Sequence, residues 1–393
     1  MGTTKSVATS ADDAGELAVA AARERPFGVY VHVPFCHRRC DYCAFATWTD
    51  REHLWERYVD ACRVEANSLA GPVGGRGPAT SVFFGGGTPS LLPSDLLVRI
   101  VDALREGVGV AANAEVTVEC NPETVSAAKL GAYRAAGVTR LSFGVQSMVP
   151  HVLDALGRQH DPVSVVRASE LAGEAGYAGA YNVDLIFGAA GETMADWESS
   201  LEGVLALDPP PAHVSAYALT VEPGTPLASQ PYRHPSADDQ AEKYLLADAV
   251  FADAGFEWYE ISNWARPGAR CSHNLLYWSQ GEYRGIGCAA HSHLVLPDGS
   301  ARRWWNVRTP ERYCRLAEEG RPLEAGGETL GPRQRRWEAL VLSIRTVRGA
   351  PAAAVPDELY DAGLVELRDD GSRAVLTPRG RLLANEVAIK LEP

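Results

Sequence analysis

Three cysteines crowd into one short stretch of the chain, VPFCHRRCDYCAF. Their C-x3-C-x2-C spacing places Cys36, Cys40 and Cys43 on a single loop. Thiolate is the ligand that selects iron–sulfur clusters or zinc. A structural zinc site normally adds a second CxxC-like pair, whereas the remaining cysteines are isolated in the sequence. The spacing favours a 4Fe–4S cluster held at three corners, with its fourth iron open to a small molecule. A chance group of buried thiols and a redox-active CxxC are the alternatives.

A run of three glycines, in FFGGGTPS, supplies the second chemical feature. Gly85, Gly86 and Gly87 directly follow a predicted strand and precede a helix that begins near Ser94. Without side chains, this backbone can approach a ligand closely and offer N–H donors to it. A glycine run alone also fits a tight turn. Beside the cysteine loop, at the same end of the predicted sheet, it indicates a ligand site.

Polar residues near the ends of later strands form a third group: Glu119 in VTVEC, Gln146 in GVQS, Arg158 in LGRQH and Asp184 in VDLIFG. A carboxylate is costly to bury in an apolar parallel strand unless it has a partner. Carboxylates at this end could bind ribose hydroxyls, and an arginine could bind a ligand carboxylate. For each residue taken singly, a structural hydrogen bond to a neighbouring loop is the alternative.

The elements that must position these residues alternate between strand and helix from about 27 to 220. The predicted strands span 27–33, 81–86, 114–120, 140–146, 180–188 and 213–219. Helical periodicity marks 51–70, 93–107, 123–137, 161–176 and 193–207. This order implies parallel pairing through right-handed crossovers, and therefore an open barrel or a doubly wound sheet. The carboxyl ends of the strands then converge on one face.

The rhythm changes after Pro226. A helix is predicted over 238–254, and an aromatic-rich loop stretch over 256–294. The last segment ends in a strand–turn–strand–helix pattern typical of a small winged-helix unit. It lacks a strong basic run, which favours packing or partner docking over DNA binding. We predict four regions: a disordered tail (1–25), the barrel (26–240), a connecting region (241–307) and a winged-helix-like domain (308–393).

Composition narrows the class of protein. The 393 residues are 46% hydrophobic and 22% charged, with a net charge of −13. This acidity argues against broad nucleic-acid binding. No apolar run is long enough to span a membrane, and the amino-terminal stretch lacks the apolar core of a secretory signal. Scattered cysteines suit a reducing compartment. We therefore expect a cytoplasmic protein.

The motifs also carry a family resemblance. C-x3-C-x2-C after the first strand, with GGGTP, resembles the radical S-adenosylmethionine superfamily, and the longer set with GVQS, LGRQH and VDLIFG is similar to its oxygen-independent coproporphyrinogen oxidase branch. The resemblance implies a partial (β/α)6 barrel in an α/β fold, with a C-terminal α+β extension. It also implies S-adenosylmethionine on the open iron, and a 5′-deoxyadenosyl radical in catalytic members. Residues at nucleoside-binding positions are Tyr30, Tyr42, Gly86, Gly87, Thr88, Glu119, Gln146, Arg158, Asp184 and Ala218.

Two departures separate the chain from the oxidases. Phe45 stands where they show a further cysteine, and the amino terminus is alanine-rich instead of an ordered arm. The stretch HNLLYW resembles the HNxxYW signature of HemW-type heme chaperones, which implies heme binding. His273 could ligate the heme iron, and Tyr277 and Trp278 could pack against the porphyrin. Alternatively the motif is a structural corner in which His273 and Asn274 satisfy loop carbonyls. Further candidate heme contacts are Cys271, Cys288, His291 and His293.

The resemblance thus favours a heme chaperone that binds a 4Fe–4S cluster, S-adenosylmethionine and heme. It would pass heme to acceptor proteins such as respiratory cytochromes, and peripheral contact with membrane-bound acceptors is compatible with this role. Two enzymatic alternatives remain open. One is a coproporphyrinogen dehydrogenase that removes two propionate carboxyls oxidatively. The other is a radical methyltransferase of the same branch.

Overall fold

A computed structural model describes residues 26–69, 76–368 and 370–392. The predicted disordered tail, 1–25, lies outside the described residues. Among the described helices, none combines the length and apolar character needed to cross a bilayer.

Six parallel strands form the centre of the molecule: β1 (Phe27–Val33), β2 (Ala79–Gly86), β3 (Val110–Cys120), β4 (Arg140–Gln146), β5 (Tyr181–Phe187) and β6 (His213–Ala218). Each pairs with the next in chain order, and within the described residues β1 and β6 do not pair with each other. Both faces of β1 and β4 are almost wholly buried, as expected for strands covered by crossover helices. The predicted open, partial barrel is confirmed.

Helices connect these strands on the outer face. They are α1 (Trp55–Ser68), α2 (Ser94–Glu106), α3 (Ala127–Ala135), α4 (Pro150–Ala155), α5 (Pro162–Glu174) and α6 (Met194–Leu205). Local signals set their starts. Asp161 caps α5 by accepting the Ser164 N–H at 2.8 Å, and Thr193 and Asp196 form a reciprocal capping box at α6. The apolar stripes of the other five helices pack on the sheet as one continuous core, whereas Val152 of α4 belongs to a smaller, separate cluster.

The sheet continues past the barrel at both edges. α7 (Ala237–Asp253) leads to β7 (Glu257–Glu260) and β8 (Asn263–Ala265), and β8 pairs antiparallel with β6. After α8 (Ser272–Trp278), β9 (Glu282–Ile286) pairs parallel with β1, and β10 (His291–Val295), β11 (Ala301–Asn306) and β12 (Glu324–Leu330) follow antiparallel. The expected aromatic-rich loop stretch was therefore wrong. It contains strands of three to five residues, too short to show a clear period in sequence.

The carboxyl-terminal residues build a second, smaller core. α9 (Pro310–Glu318) still packs on α1, with Tyr313 against Tyr58. Beyond it, α10 (Pro332–Ile344), α11 (Asp357–Asp361), α12 (Pro378–Leu382) and α13 (Ala384–Ile389) surround a sheet of β13 (Ala350–Pro351), β15 (Arg373–Leu376) and β14 (Val365–Leu367). Buried aliphatic side chains hold this unit together, among them Leu359, Leu376 and Val387. The predicted strand–turn–strand–helix pattern is present as β14, β15 and α12. α9 and β12, which the predicted bounds 308–393 also include, instead belong to the larger core and sheet.

Candidate functional site

A cavity of about 580 Å³ opens at the carboxyl ends of the parallel strands. The three cysteines of the loop, all ten residues at expected nucleoside-binding positions, and His273, Asn274 and Tyr277 line it. Trp278 does not line the cavity. Because parallel strands end at one edge, residues up to 247 positions apart in the chain meet here, from Tyr30 to Tyr277.

The cysteine loop leaves β1 and turns into this cavity. The thiols of Cys36, Cys40 and Cys43 are free and partly accessible. Thr88 Oγ1 lies 3.8 Å from the Cys36 sulfur, and the Arg158 guanidinium lies 3.7 Å from the Cys40 sulfur. Burial raises the pKa of Cys36 to about 11 and also raises that of Cys43. Bound metal would supply the positive charge that these thiolates need.

The loop differs from a site for one metal ion. In the part of the chain that the structure describes, no three His, Cys, Asp or Glu side chains converge closely enough to hold a single ion. A zinc ion needs its sulfur ligands about 2.3 Å from one point. A cuboidal cluster instead bonds each thiolate to a different iron, so its ligands stand further apart. The donor set, three thiols on one loop, fits a cluster.

The glycine turn at the end of β2 packs against the end of β1 and the start of the cysteine loop. Gly86 has φ of 114°, and a Cβ there would lie 2.4 Å from the His32 ring. At Gly87, a Cβ would lie 2.6 Å from the Phe35 carbonyl oxygen. Any side chain would therefore push the turn away from the loop. The Gly86 N–H donates to Glu119 Oε2 at 3.1 Å, which joins the turn to β3.

Two carboxyl groups face the cavity from β3 and β5. Burial, and then the charge of Asp184, raise the pKa of Glu119 to about 8. Burial also raises the pKa of Asp184, although Ser142 Oγ and Asn182 Nδ2 donate to its two oxygens at 2.9 and 2.8 Å. Glu119 has no cationic partner among the described residues. The pair therefore offers acceptor oxygens to a ligand rich in hydroxyl or ammonium groups.

Arg158 and Gln146 also line the cavity. The Arg158 guanidinium donates to Asn121 Oδ1 at 2.8 Å and to the Gly144 carbonyl at 3.0 Å. These bonds hold one cation beside the cysteine loop. Gln146 ends β4 with φ of 67°, in the left-handed region that a glutamine seldom adopts. Such a conformation persists only when surrounding contacts enforce it, and it often marks a functional position.

α8, which carries the HNLLYW stretch, is tied into the wall of the same cavity. His273 is 1% exposed, and its Nδ1 and Nε2 each lie 2.9 Å from a hydroxyl oxygen, of Ser81 and of Tyr277. Burial lowers the pKa of His273 to about 3, so the ring is neutral. Asn274 Nδ2 donates to Glu260 Oε1 at 2.9 Å. Both ring nitrogens of the histidine are therefore in use within the protein.

The other expected heme contacts differ in accessibility. Cys271 and Cys288 are buried, and the Tyr58 hydroxyl lies 3.6 Å from the Cys288 sulfur. His293 is 5% exposed, with Nδ1 2.8 Å from the Gly281 carbonyl oxygen. His291 is exposed, at the start of β10. It lines a second cleft and not the cavity at the strand ends.

Several polar cavity residues escaped the sequence analysis: Asn121, Arg140, Ser142, Asn182, His213 and Ser215. Five of them, all but Asn121, lie inside predicted strands, where they alternate with apolar residues and so share the inward face. Asn182 donates to Ser142 Oγ, and His213 Nε2 lies 2.8 Å from the Tyr259 hydroxyl. The signal that could have found them was this polar alternation in otherwise apolar strands.

Comparison with known proteins agrees with this architecture. The family model of the radical SAM superfamily matches residues 30–203. A protein of Mycobacterium tuberculosis described as heme chaperone HemW is 40% identical over 92% of this chain and 94% of its own. The protein of the same description from Escherichia coli is 36% identical, over 76% of this chain and 79% of its own.

A solved structure shares the fold. Coproporphyrinogen III oxidase from Escherichia coli, described as a radical SAM enzyme, superimposes with a TM-score of 0.78 and covers 97% of this chain and 93% of its own, at 23% identity. Fold and sequence together define a radical SAM protein. The chain belongs to the HemW family within that superfamily.

Proposed function

We propose that the protein is a heme chaperone: it binds heme and delivers it to acceptor proteins, such as respiratory cytochromes, in the cytoplasm. The observation that carries the proposal is its 40% identity, across nearly the full length of both chains, to a relative described as a heme chaperone. Phe45 supports it, since the oxidase branch is expected to carry a cysteine there. The Phe45 side chain is 66% exposed beside the cysteine loop and offers an apolar surface.

We further propose that Cys36, Cys40 and Cys43 hold a 4Fe–4S cluster, which when bound supplies an open iron and an electron-transfer centre. S-adenosylmethionine would occupy the adjoining cavity in exchange with solvent. Gly86 and Gly87 line that cavity, and their lack of side chains lets the turn pack against β1 and the start of the cysteine loop. Glu119 would accept hydrogen bonds from its ribose or ammonium group, and Arg158 would pair with its carboxylate.

An active coproporphyrinogen dehydrogenase is the second candidate function. It is favoured by the presence of Gln146, Arg158 and Asp184 in one cavity wall, which is where the oxidase resemblance places nucleoside-binding residues. That wall has the polar groups to hold a nucleoside, whether or not the sulfonium is cleaved. The two functions therefore differ in outcome and not in the architecture of this cavity.

One paired assay separates them. Anaerobic, cluster-reconstituted protein receives reductant, S-adenosylmethionine and coproporphyrinogen, and in parallel receives hemin followed by an apo-cytochrome. We expect stoichiometric hemin binding, transfer to the acceptor and no protoporphyrinogen. Protoporphyrinogen at a multiple-turnover yield would establish the dehydrogenase instead. Failure of the wild-type protein to bind hemin would contradict the chaperone function. A Cys40→Ala variant tests whether either activity needs the cluster.

A further inference from the structure

A second cleft, of about 530 Å³, lies beside the cavity at the strand ends. Its volume is within the roughly 300–1,000 Å³ typical of small-molecule sites. Its wall is formed by the antiparallel extension of the sheet, from β9 to β12, and by residues 44–46 after the cysteine loop. Tyr30 and Tyr277 line both spaces, as do Ala44 and Phe45. An occupant of this cleft would therefore lie next to the cluster-binding loop.

His291 is the one accessible imidazole in the described lining of this cleft. Neither ring nitrogen of His291 forms a hydrogen bond with any of the described residues. The imidazole lies beside the Trp305 indole, with 5.6 Å between the ring centroids. His32, which also lines the cleft, is 6% exposed and bonded at Nε2 to the Ala46 carbonyl oxygen at 2.9 Å. A metal ligand needs a free nitrogen lone pair, which His291 can offer.

Flat and apolar groups surround this imidazole. In the antiparallel register His291 pairs with Trp305, and Trp305 pairs with Gly326. A Cβ at Gly326 would lie 2.9 Å from the indole, so the glycine lets the strand cover one side of that ring. Phe45 also lines the cleft, and its side chain is largely exposed. Aromatic faces of this kind suit a planar macrocycle.

The charge of the cleft is positive. No Asp or Glu belongs to its described lining, whereas Arg308 does. Arg308 is exposed, and no carboxylate in the described part of the chain forms an ion pair with it. A guanidinium without a partner at the rim can pair with a ligand carboxylate. In a chain with a net charge of −13, this local balance points to an anionic ligand.

We propose that this cleft is the heme site and that His291 is the axial ligand of the heme iron. Trp305 and Phe45 pack against the macrocycle, and Arg308 pairs with a propionate. The inference rests on the proposed heme-chaperone function and specifies where the heme binds. It leaves His273 as a structural residue of the neighbouring cavity wall, because its two ring nitrogens are already bonded and its side chain is buried.

Hemin titration of the full-length, cluster-reconstituted protein tests the assignment. Wild type should give a Soret band and electron paramagnetic resonance spectrum typical of histidine ligation. His291→Ala should lose this signature and bind hemin more weakly, by roughly tenfold or more. Added imidazole should restore the spectrum. The matched control is His151→Ala, a substitution of an exposed histidine on α4 that lines neither space, and it should behave as wild type.

Metal-free protoporphyrin IX separates ligation from packing. It should bind wild type and His291→Ala alike, since it has no iron to ligate, whereas Trp305→Ala should weaken the binding of both porphyrins. A wild-type hemin spectrum in His291→Ala, at unchanged affinity, would overturn the assignment and leave the chaperone function intact. No hemin binding by the wild-type protein would instead overturn the chaperone function itself. Cluster iron content and circular dichroism establish that each variant is folded.

Discussion

Two parts of the same cavity differ in how far their polar groups are already bonded within the protein. One is the strand-end wall, formed by Glu119 of β3 and Asp184 of β5, and the other is α8. Burial raises the pKa values of Glu119 on β3 and Asp184 on β5. Glu119 has no cationic partner among the described residues, and the charge of Arg140 offsets only part of the effect at Asp184. On α8, both nitrogens of His273 are bonded to Ser81 and Tyr277. The carboxyl groups of the strand-end wall can still accept hydrogen bonds from a ligand, whereas the imidazole of α8 has no free ring nitrogen to offer. Membership of a motif and position in a cavity therefore do not make a residue a ligand.

A parallel contrast separates the two histidines considered for heme. His273 is buried and its pKa falls to about 3 because the ring is removed from water. His291 is exposed in the second cleft, with no hydrogen bond from the described residues. Four experiments sharpen or break these contrasts.

The largest effect is expected at the cysteine loop. Cys40→Ala should abolish cluster assembly, since two remaining thiolates cannot hold a cluster whose fourth iron is already open. Iron and acid-labile sulfide, measured after anaerobic reconstitution, should fall to background. Cys314→Ala is the matched control, because Cys314 is buried in α9 and lines neither space. Retention of iron and sulfide in Cys40→Ala would contradict the three-cysteine assignment.

His273→Ala should cost stability and leave heme ligation unchanged. The change leaves a buried gap and removes the partners of two hydroxyl groups, at a cost of about 2–4 kcal/mol in the free energy of unfolding. Urea unfolding measures this cost, and His151→Ala should stay within about 0.5 kcal/mol of wild type. Loss of histidine-type hemin spectra in a folded His273→Ala protein would show that α8 supplies the ligand after all.

Glu119→Gln should change how stability depends on pH. The folded pKa of about 8 lies above the unfolded value of 4.5, so the folded state keeps the proton that the unfolded state loses. The stability that Glu119 contributes to the wild type is therefore fully present below pH 4.5 and is lost as pH rises towards 8. Without this carboxyl, the cluster-free variant should be more stable than wild type by about 1–3 kcal/mol at pH 9, with little difference at pH 5.

Urea unfolding at those two pH values checks the Glu119 prediction. The control is Glu198→Gln on the exposed face of α6, which should leave the pH dependence as in wild type. The free energies of unfolding of Glu119→Gln and wild type could instead differ by the same amount at both pH values. That result would mean that the pKa of the Glu119 carboxyl group is not raised by folding.

The smallest effect is expected at Gln146. Glycine tolerates the φ of 67° found there, so Gln146→Gly should raise the free energy of unfolding by about 0.5–1 kcal/mol. It should at the same time weaken S-adenosylmethionine binding, because an amide that lines the cavity is lost. Thermal unfolding and isothermal titration measure the two changes. A stability loss would show that the side chain's packing outweighs the backbone strain.

Much of the barrel could be predicted from sequence because its elements are long and their signals local. The strands 27–33 and 140–146 have the predicted bounds, and Asp161 and Thr193 mark helix starts. The antiparallel extension was missed. Strands β7 to β10 have only three to five residues each. β9 pairs with β1, which lies about 250 positions earlier in the chain, and no local pattern encodes such a pairing.

The site, too, has features that the sequence predicts and features that depend on contacts between distant parts of the chain. Glu119, Arg158 and Asp184 could be predicted to meet, since parallel strands end at one edge. The bonding of His273 could not be predicted, because one of its partners, Ser81, lies 192 residues away. The second cleft was also invisible in the sequence, since it depends on the register that sets His291 opposite Trp305.

The central claim is a cluster on three cysteines with one iron open to a nucleoside. Electron paramagnetic resonance of the dithionite-reduced, reconstituted protein, with and without S-adenosylmethionine, tests it most directly. Iron analysis of the same sample should find about four irons per chain. The electron paramagnetic resonance signal of the reduced cluster should have g-values that shift when S-adenosylmethionine binds. The shift should disappear in a protein that carries both Glu119→Gln and Arg158→Ala. Protein that is free of iron and sulfide after reconstitution, or a signal that S-adenosylmethionine leaves unchanged, would contradict the account.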